Sequence, residues 1–260
     1  MKNRINQLFE TKKENILSVY FTAGFPKLND TVKIIQELEK NRVDLIEIGI
    51  PFSDPTADGP TIQRSSELAL KNGMNVKLLF EQLKEIREAV KIPLVLMGYF
   101  NPVLQFGVEK FCQKCKETGI DGTILPDLPL NEFEENYQEM FAENQLHNIL
   151  LITPQTSEKR IRQIDEASDG FIYMVSSSST TGAGKKVEDF HQDYFERIRN
   201  MNLKNPRLIG FGISDNSTFV NACKYANGAI IGSAFVNSFN ENLTIEKSIS
   251  SFVNQMLSPV

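Results

Sequence analysis

The stretch "VDLIEIGIPFSDPTADGPTIQ", residues 43–63, decides how the chain is read. Its first half is a strand-length apolar run interrupted by one carboxylate, Glu47. Its second half is a loop carrying Asp54, Asp58 and prolines, with Gly59 and Pro60 reading as the cap and first residue of a helix. Side chains alternate along a strand, so Ile46, Ile48 and Ile50 share one face and Leu45, Glu47 and Gly49 the other. With the isoleucines packed against helices, Glu47 points to the opposite side of the sheet.

Seven further runs of the same kind complete the pattern: 16–24, 92–100, 119–128, 148–154, 170–176, 206–213 and 228–235. Segments with helical periodicity lie between them. "DTVKIIQELEK" is one, with Asp30 as its N-cap candidate. Near-continuous apolar strands alternating with helices imply a parallel sheet covered by helices. Eight such units in 260 residues fit a single (β/α)8 TIM barrel domain spanning 1–260, with an extra N-terminal helix. A doubly wound open sheet would place a Gly-rich fingerprint after the first strand, where this chain has "TAGFP".

The barrel makes Glu47 inward-facing, near the C-terminal mouth where such folds keep their chemistry. Burial there raises a carboxyl pKa toward the range useful for acid–base catalysis. The structural alternative is a glutamate paired with a lysine or arginine, and the strand candidates offer no inward basic residue. Asp58 has two readings: turn and helix-start chemistry, or a second carboxylate folded over the mouth. Asp54, in "SDP", has the same two. Three glycine-containing loops, "STTGAGK", "GFGIS" and "IGSAF", follow the sixth, seventh and eighth strands. Barrels bind phosphate groups at such positions through backbone N–H groups, so a phosphate ester fits. "GFGISD" lacks the third glycine of a dinucleotide fingerprint, and "STTGAGKK" lacks the first glycine and final Ser/Thr of a P-loop.

The net charge of −5 argues against nucleic acid or an anionic membrane as the main partner. "MKNRINQLFE" shows no apolar signal region, and the apolar runs fall far short of the roughly 20 residues of a membrane span, so a cytoplasmic location is expected. Cys112 and Cys115 form a C-x-x-C inside a helical segment; His147 and His191 lack paired spacing. A helix with one or both cysteines facing the core accounts for this better than a zinc or redox site, and no metal is expected.

"LIEIGIPFSDPTADGPTIQRS" resembles the signature segment of the tryptophan synthase alpha subunit family. The likeness continues through "FTAGFP", "LMGYFNPV", "GIDGTILPDLP", "GFIYMVS", "TTG", "GFGIS" and "IIGSAF", in family order. It implies a lyase that cleaves indole-3-glycerol phosphate to indole and glyceraldehyde 3-phosphate by a retro-aldol reaction, with no cofactor in this chain. By the resemblance, Glu47 shuttles protons between the indole C3 and the glycerol hydroxyl. Asp58 hydrogen-bonds the indole N–H, and Tyr173 stands beside Glu47. Gly182, Gly212, Gly232 and Ser233 match phosphate-binding positions. Tyr20, Met97, Tyr99, Ile124 and Phe211 fall where the family builds its indole pocket, and Thr181 meets Asp58 when the loop closes. The resemblance further implies an alpha2beta2 complex with a beta subunit that carries pyridoxal phosphate, docked through loop 53–60 and Asn101–Pro102. Two positions depart from the family pattern: Thr56, where leucine is common, and "STTG" at 179–182. A stand-alone lyase, a non-enzymatic activator of the partner and another phosphate-binding barrel enzyme, such as a sugar-phosphate epimerase, are the alternatives.

Overall fold

In the computed structural model, which describes residues 2–176, 188–239 and 242–258, the apolar runs become nine parallel strands. They are β1 (Ile16–Thr22), β2 (Leu45–Gly49), β3 (Leu94–Met97), β4 (Gly122–Ile124), β5 (His147–Asn148), β6 (Leu150–Ile152), β7 (Ile172–Val175), β8 (Arg207–Gly210) and β9 (Gly228–Ile231). Their hydrogen-bonded order is β5-β4-β3-β2-β1-β9-β8-β7-β6. β5 and β6 are pieces of one strand separated only by Ile149; β5 pairs with β4, and β6 with β7. The Ile149 N–H still donates to the Thr123 carbonyl at 2.8 Å. The two ends of the strand order therefore meet within residues 147–152, and the sheet closes into a (β/α)8 barrel.

Two apolar layers follow from strand alternation. Ile46, Ile48 and Ile50 belong to the layer between sheet and helices. Leu45 lies inside the barrel with Ile16, Val95, Ile124, Ile149, Phe171, Tyr173, Leu208 and Ile230. β1 and β2 pair with Tyr20 opposite Glu47, which brings both side chains to the interior face.

The N-terminal helix Arg4–Thr11 plugs the bottom of the barrel. Asn3 caps it by accepting the Ile5 N–H at 2.9 Å. Ile5 enters the inner layer, and Phe9 packs on Phe171 with ring centroids 5.8 Å apart. Asp121, just before β4, ties this end together. Its carboxylate accepts from Arg4 at 2.9 Å, from Arg87 at 2.6 Å and from the Leu94 N–H at 2.9 Å.

Several boundaries differ from the sequence reading. The fourth run shrinks to Gly122–Ile124, and the last strand ends at Ile231 because Ser233 starts a short helix. Two of the helical segments between strands are broken: residues 75–90 form Val76–Leu83 and Ile86–Ala89, and residues 130–143 divide at Tyr137. Asp30 stands at the start of helix Thr31–Lys40 but makes no side-chain cap to it. It instead accepts the Lys27 N–H at 3.2 Å, closing a preceding turn. Cys112 and Cys115 are both buried in helix Val108–Thr118; burial pushes the Cys112 thiol up to about 12 and Cys115 well above its ordinary value. Among the described residues no helix is long and apolar enough to cross a membrane.

Replacing Asp121 by alanine leaves the Arg87 guanidinium, mostly buried, without its carboxylate. The variant should lose roughly 3–5 kcal/mol of stability, read from the midpoint and slope of urea unfolding. A loss under about 1 kcal/mol would show that solvent screens the cluster.

Candidate active site

β2 delivers Glu47 to the barrel interior, where it is fully buried. Its Oε1 accepts the Ser18 hydroxyl at 3.0 Å, and its Oε2 has no hydrogen-bond partner. Burial without a cation disfavours the charged form and pushes the carboxyl up to about 8, while the Ser18 hydrogen bond pulls the other way.

The loop after β2 brings a second carboxyl to the same space. Asp58 is braced by its own backbone: its N–H donates to Pro55 O at 3.0 Å, and its carbonyl accepts from Gln63 at 2.9 Å. Tyr99 links this loop to the end of β3. Its hydroxyl accepts the Ala57 N–H at 2.9 Å and donates to Asp58 Oδ2 at 3.3 Å. Phe52 lies against the Tyr99 ring with centroids 5.0 Å apart. Burial raises Asp58 to about 6, moderated by the Tyr99 hydrogen bond. The two carboxyls thus have separated pKa values, so near neutrality Glu47 holds its proton while Asp58 is mostly ionised.

Two connected cavities open at the mouth, with volumes of about 350 and 480 Å³. Glu47, Tyr173, Gly212, Gly232, Ser233 and Asn237 line the smaller. Phe52, Tyr99, Pro126, Leu151 and Val175 line the larger. Tyr20, Asp58, Met97 and Phe211 belong to both walls. One half is therefore apolar and aromatic; the other carries the buried acid and the glycine loops. No Lys, Arg or His occurs among the described lining residues, so an anion in the smaller cavity would meet backbone N–H groups instead.

The tyrosines fit because small residues face them. A Cβ added at Gly49 would run into the Tyr20 hydroxyl, and one at Gly210 into the Tyr173 hydroxyl. After β8 the chain turns sharply: Phe211 has φ +69° and Gly212 φ +76°. Glycine accepts this region freely, whereas Phe211 is strained there. The Ser176 hydroxyl donates to the Phe211 carbonyl at 2.7 Å and pins the turn. The Phe211 ring then meets Tyr173 edge-on at 6.3 Å.

Of the residues singled out from sequence, Glu47, Asp58, Tyr173, Tyr20, Met97, Tyr99, Phe211, Gly212, Gly232 and Ser233 gather at this mouth. Ile124 does not line it; the side chain is fully buried in the inner core, and Pro126 takes the wall position. Thr181 and Gly182 lie outside the described residues. Sequence reasoning missed Phe52, Leu151, Val175 and Ser18. Ser18 was within reach, since it shares the face of Ile16 and Tyr20 on β1. Among the described residues no group of three or more His, Cys, Asp or Glu is placed to hold a metal ion.

A family model described as "Tryptophan synthase alpha chain" matches residues 6–257. The tryptophan synthase alpha chain of Flavobacterium psychrophilum is 61% identical over 254 residues, covering 98% of this chain and 99% of that one. That of Flavobacterium johnsoniae is 61% identical over 240 residues, covering 92% and 94%. Among solved structures, the tryptophan synthase alpha chain from Legionella pneumophila superposes with a TM-score of 0.87 at 29% identity, covering 98% of this chain and 96% of that one.

A buried carboxyl whose folded pKa is raised contributes stability below its unfolded pKa and loses it as pH rises through the folded value. For Glu47 that window runs from its ordinary 4.5 to about 8. Replacing it by glutamine removes the titration. The stability of Glu47→Gln relative to the parent should therefore rise by roughly 3–5 kcal/mol between about pH 4 and about pH 9, measured by urea unfolding at each pH. A constant difference across that range would mean that the carboxyl is not desolvated.

Proposed function

The chain belongs to the tryptophan synthase alpha chain family, whose alpha reaction it performs, and we propose that Glu47 and Asp58 carry that reaction across the two cavities. The enzyme is a carbon–carbon lyase of tryptophan biosynthesis that cleaves indole-3-glycerol phosphate to indole and glyceraldehyde 3-phosphate. The observation that carries the residue assignment is the convergence of one fully buried and one less buried carboxyl at the junction of an aromatic and a glycine-lined cavity.

The indole ring lies in the larger cavity between Phe52, Tyr99 and Leu151. The phosphate lies against the backbone of Gly212, Gly232 and Ser233. Cleavage begins when Glu47 gives its proton to the indole C3. Positive charge then spreads to the ring nitrogen, where ionised Asp58 accepts the N–H and stabilises it. The hydroxyl on the adjoining glycerol carbon returns a proton to Glu47 as its oxygen forms the aldehyde. The carbon–carbon bond breaks, and its electron pair restores neutral indole. Glu47 ends as it began. Tyr173 and Tyr20 keep water from the buried acid. This chemistry runs on the chain's own side chains.

We place the beta subunit on loop 53–60 and Asn101–Pro102, in an alpha2beta2 complex where pyridoxal phosphate belongs to the partner. Exposed Thr56 and Ala57, with Asn101 and the half-exposed Leu104 beside them, support this face. The Phe100 N–H donates to Asp127 at 2.9 Å, which anchors the helix that presents Asn101 and Pro102.

Indole release from indole-3-glycerol phosphate tests the assignment. Glu47→Gln should reduce kcat by about 10³-fold or more, and Asp58→Asn by about 10²-fold. Near-normal turnover by Glu47→Gln would overturn it. Because activity needs ionised Asp58 and protonated Glu47, kcat should rise with pH through about 6 and fall through about 8. A profile without the alkaline limb would remove Glu47 as the acid.

A further inference from the structure

The barrel interior is apolar at nearly every inward strand position below the mouth: Ile16, Leu45, Val95, Ile124, Leu208 and Ile230. Ser18 departs from this. It lies on β1 between Ile16 and Tyr20, it is fully buried, and its hydroxyl donates to Glu47 Oε1 at 3.0 Å. No other described residue hydrogen-bonds that carboxyl; Oε2 is buried without a partner. A serine here forgoes the packing of an aliphatic side chain, so its hydroxyl has to be explained by the carboxyl it meets.

We propose that Ser18 is a positioning residue for the lyase reaction: it engages Glu47 Oε1 and thereby leaves Oε2 as the oxygen that exchanges the proton with substrate. This rests on the assignment of Glu47 as the acid. The geometry gives a reason for both halves. A carboxyl inside an apolar barrel has no other described donor to fix its rotation, and proton transfer to a ring carbon requires one oxygen held in a defined direction. With Oε1 saturated by a hydroxyl donor, the proton resides on Oε2. Glu47 lines the smaller cavity, so Oε2 is the oxygen that remains for the substrate.

The hydrogen bond also favours the ionised form of Glu47 and holds its pKa below the value that burial alone would set. The other titratable groups around it are Tyr20 from β1, Tyr173 from β7 and Asp58 from the loop after β2, and burial raises the pKa of all three. β3 presents only Val95 and Met97. Ser18 is therefore the described neighbour that eases deprotonation.

The test uses the full-length protein with Ser18→Ala, Ser18→Thr and Glu47→Gln assayed beside the parent. For Ser18→Ala we expect kcat for indole release to fall about tenfold with KM within about twofold. We also expect the alkaline limb of the pH profile to move up by roughly one unit. Ser18→Thr keeps the donor and should recover the parent's alkaline limb. A 13C titration of the Glu47 carboxyl in the same proteins gives the shift without turnover. If the alanine variant does not fold, Ser18→Cys, a weaker donor of similar shape, should show a smaller upward shift by that titration. An unchanged Glu47 titration and an unchanged kcat in Ser18→Ala, or an unchanged titration in Ser18→Cys, would overturn the proposal while Glu47→Gln remains inactive. Active Glu47→Gln would instead overturn the assignment on which it rests.

Discussion

A carboxyl group buried without a neighbouring cation is the constraint on which the mouth of this barrel depends. Glu47 is sealed from solvent, and among the described residues its only hydrogen-bond partner is a serine hydroxyl. Placing an ionised carboxylate there would be costly, so the group stays protonated near neutrality. That state requires water to be kept out, which in turn requires a closed barrel, a filled interior and tyrosines packed around the acid. The closure at residues 147–152 and the inner apolar layer are thus conditions for the chemistry as well as for folding.

Asp58 shows how a second carboxyl is kept different. It reaches the same cavities from a loop, is less deeply buried than Glu47, and receives a hydrogen bond from Tyr99. These two environments separate the groups by about the interval that an acid and an anion need near neutral pH. Tyr99 has a double role, since the hydroxyl that donates to Asp58 also accepts the Ala57 N–H. The position of Asp58 therefore depends on the end of β3 as much as on its own loop.

The period of two on β2 was legible in the sequence, and it carried both the sheet's two-faced packing and the direction of Glu47. Gly59 and Pro60 were legible as a helix start because their backbone chemistry is local, and helix Pro60–Lys71 does begin there. What was not legible depends on contacts between distant segments. Asp30 reads as a cap, but its side chain is taken by the turn before the helix. Tyr137 divides a continuous helical pattern through a local backbone change, φ −130°, that periodicity does not report. Ile124 stays in the core and Pro126 lines the wall instead, because β4 is only three residues long and the following loop supplies the wall. Apolar wall residues such as Leu151 and Val175 are indistinguishable by type from core residues until the cavity is seen.

Stability and chemistry are held at opposite ends of the strands. At the bottom, Asp121 accepts from two arginines and a backbone N–H, and Asn3 caps a helix that fills the barrel. At the mouth two unfavourable features stand together. Glu47 Oε2 is left unpaired, and Phe211 is held in a left-handed backbone conformation. Both features are unfavourable for a folded chain on its own. Glu47 and Phe211 both line the smaller cavity, and on the proposed assignment a bound substrate gives the unpaired oxygen its partner. The bonds around Asp121 and Asn3 hold the strands from below, while the acid proposed for the reaction stands underbonded at the mouth.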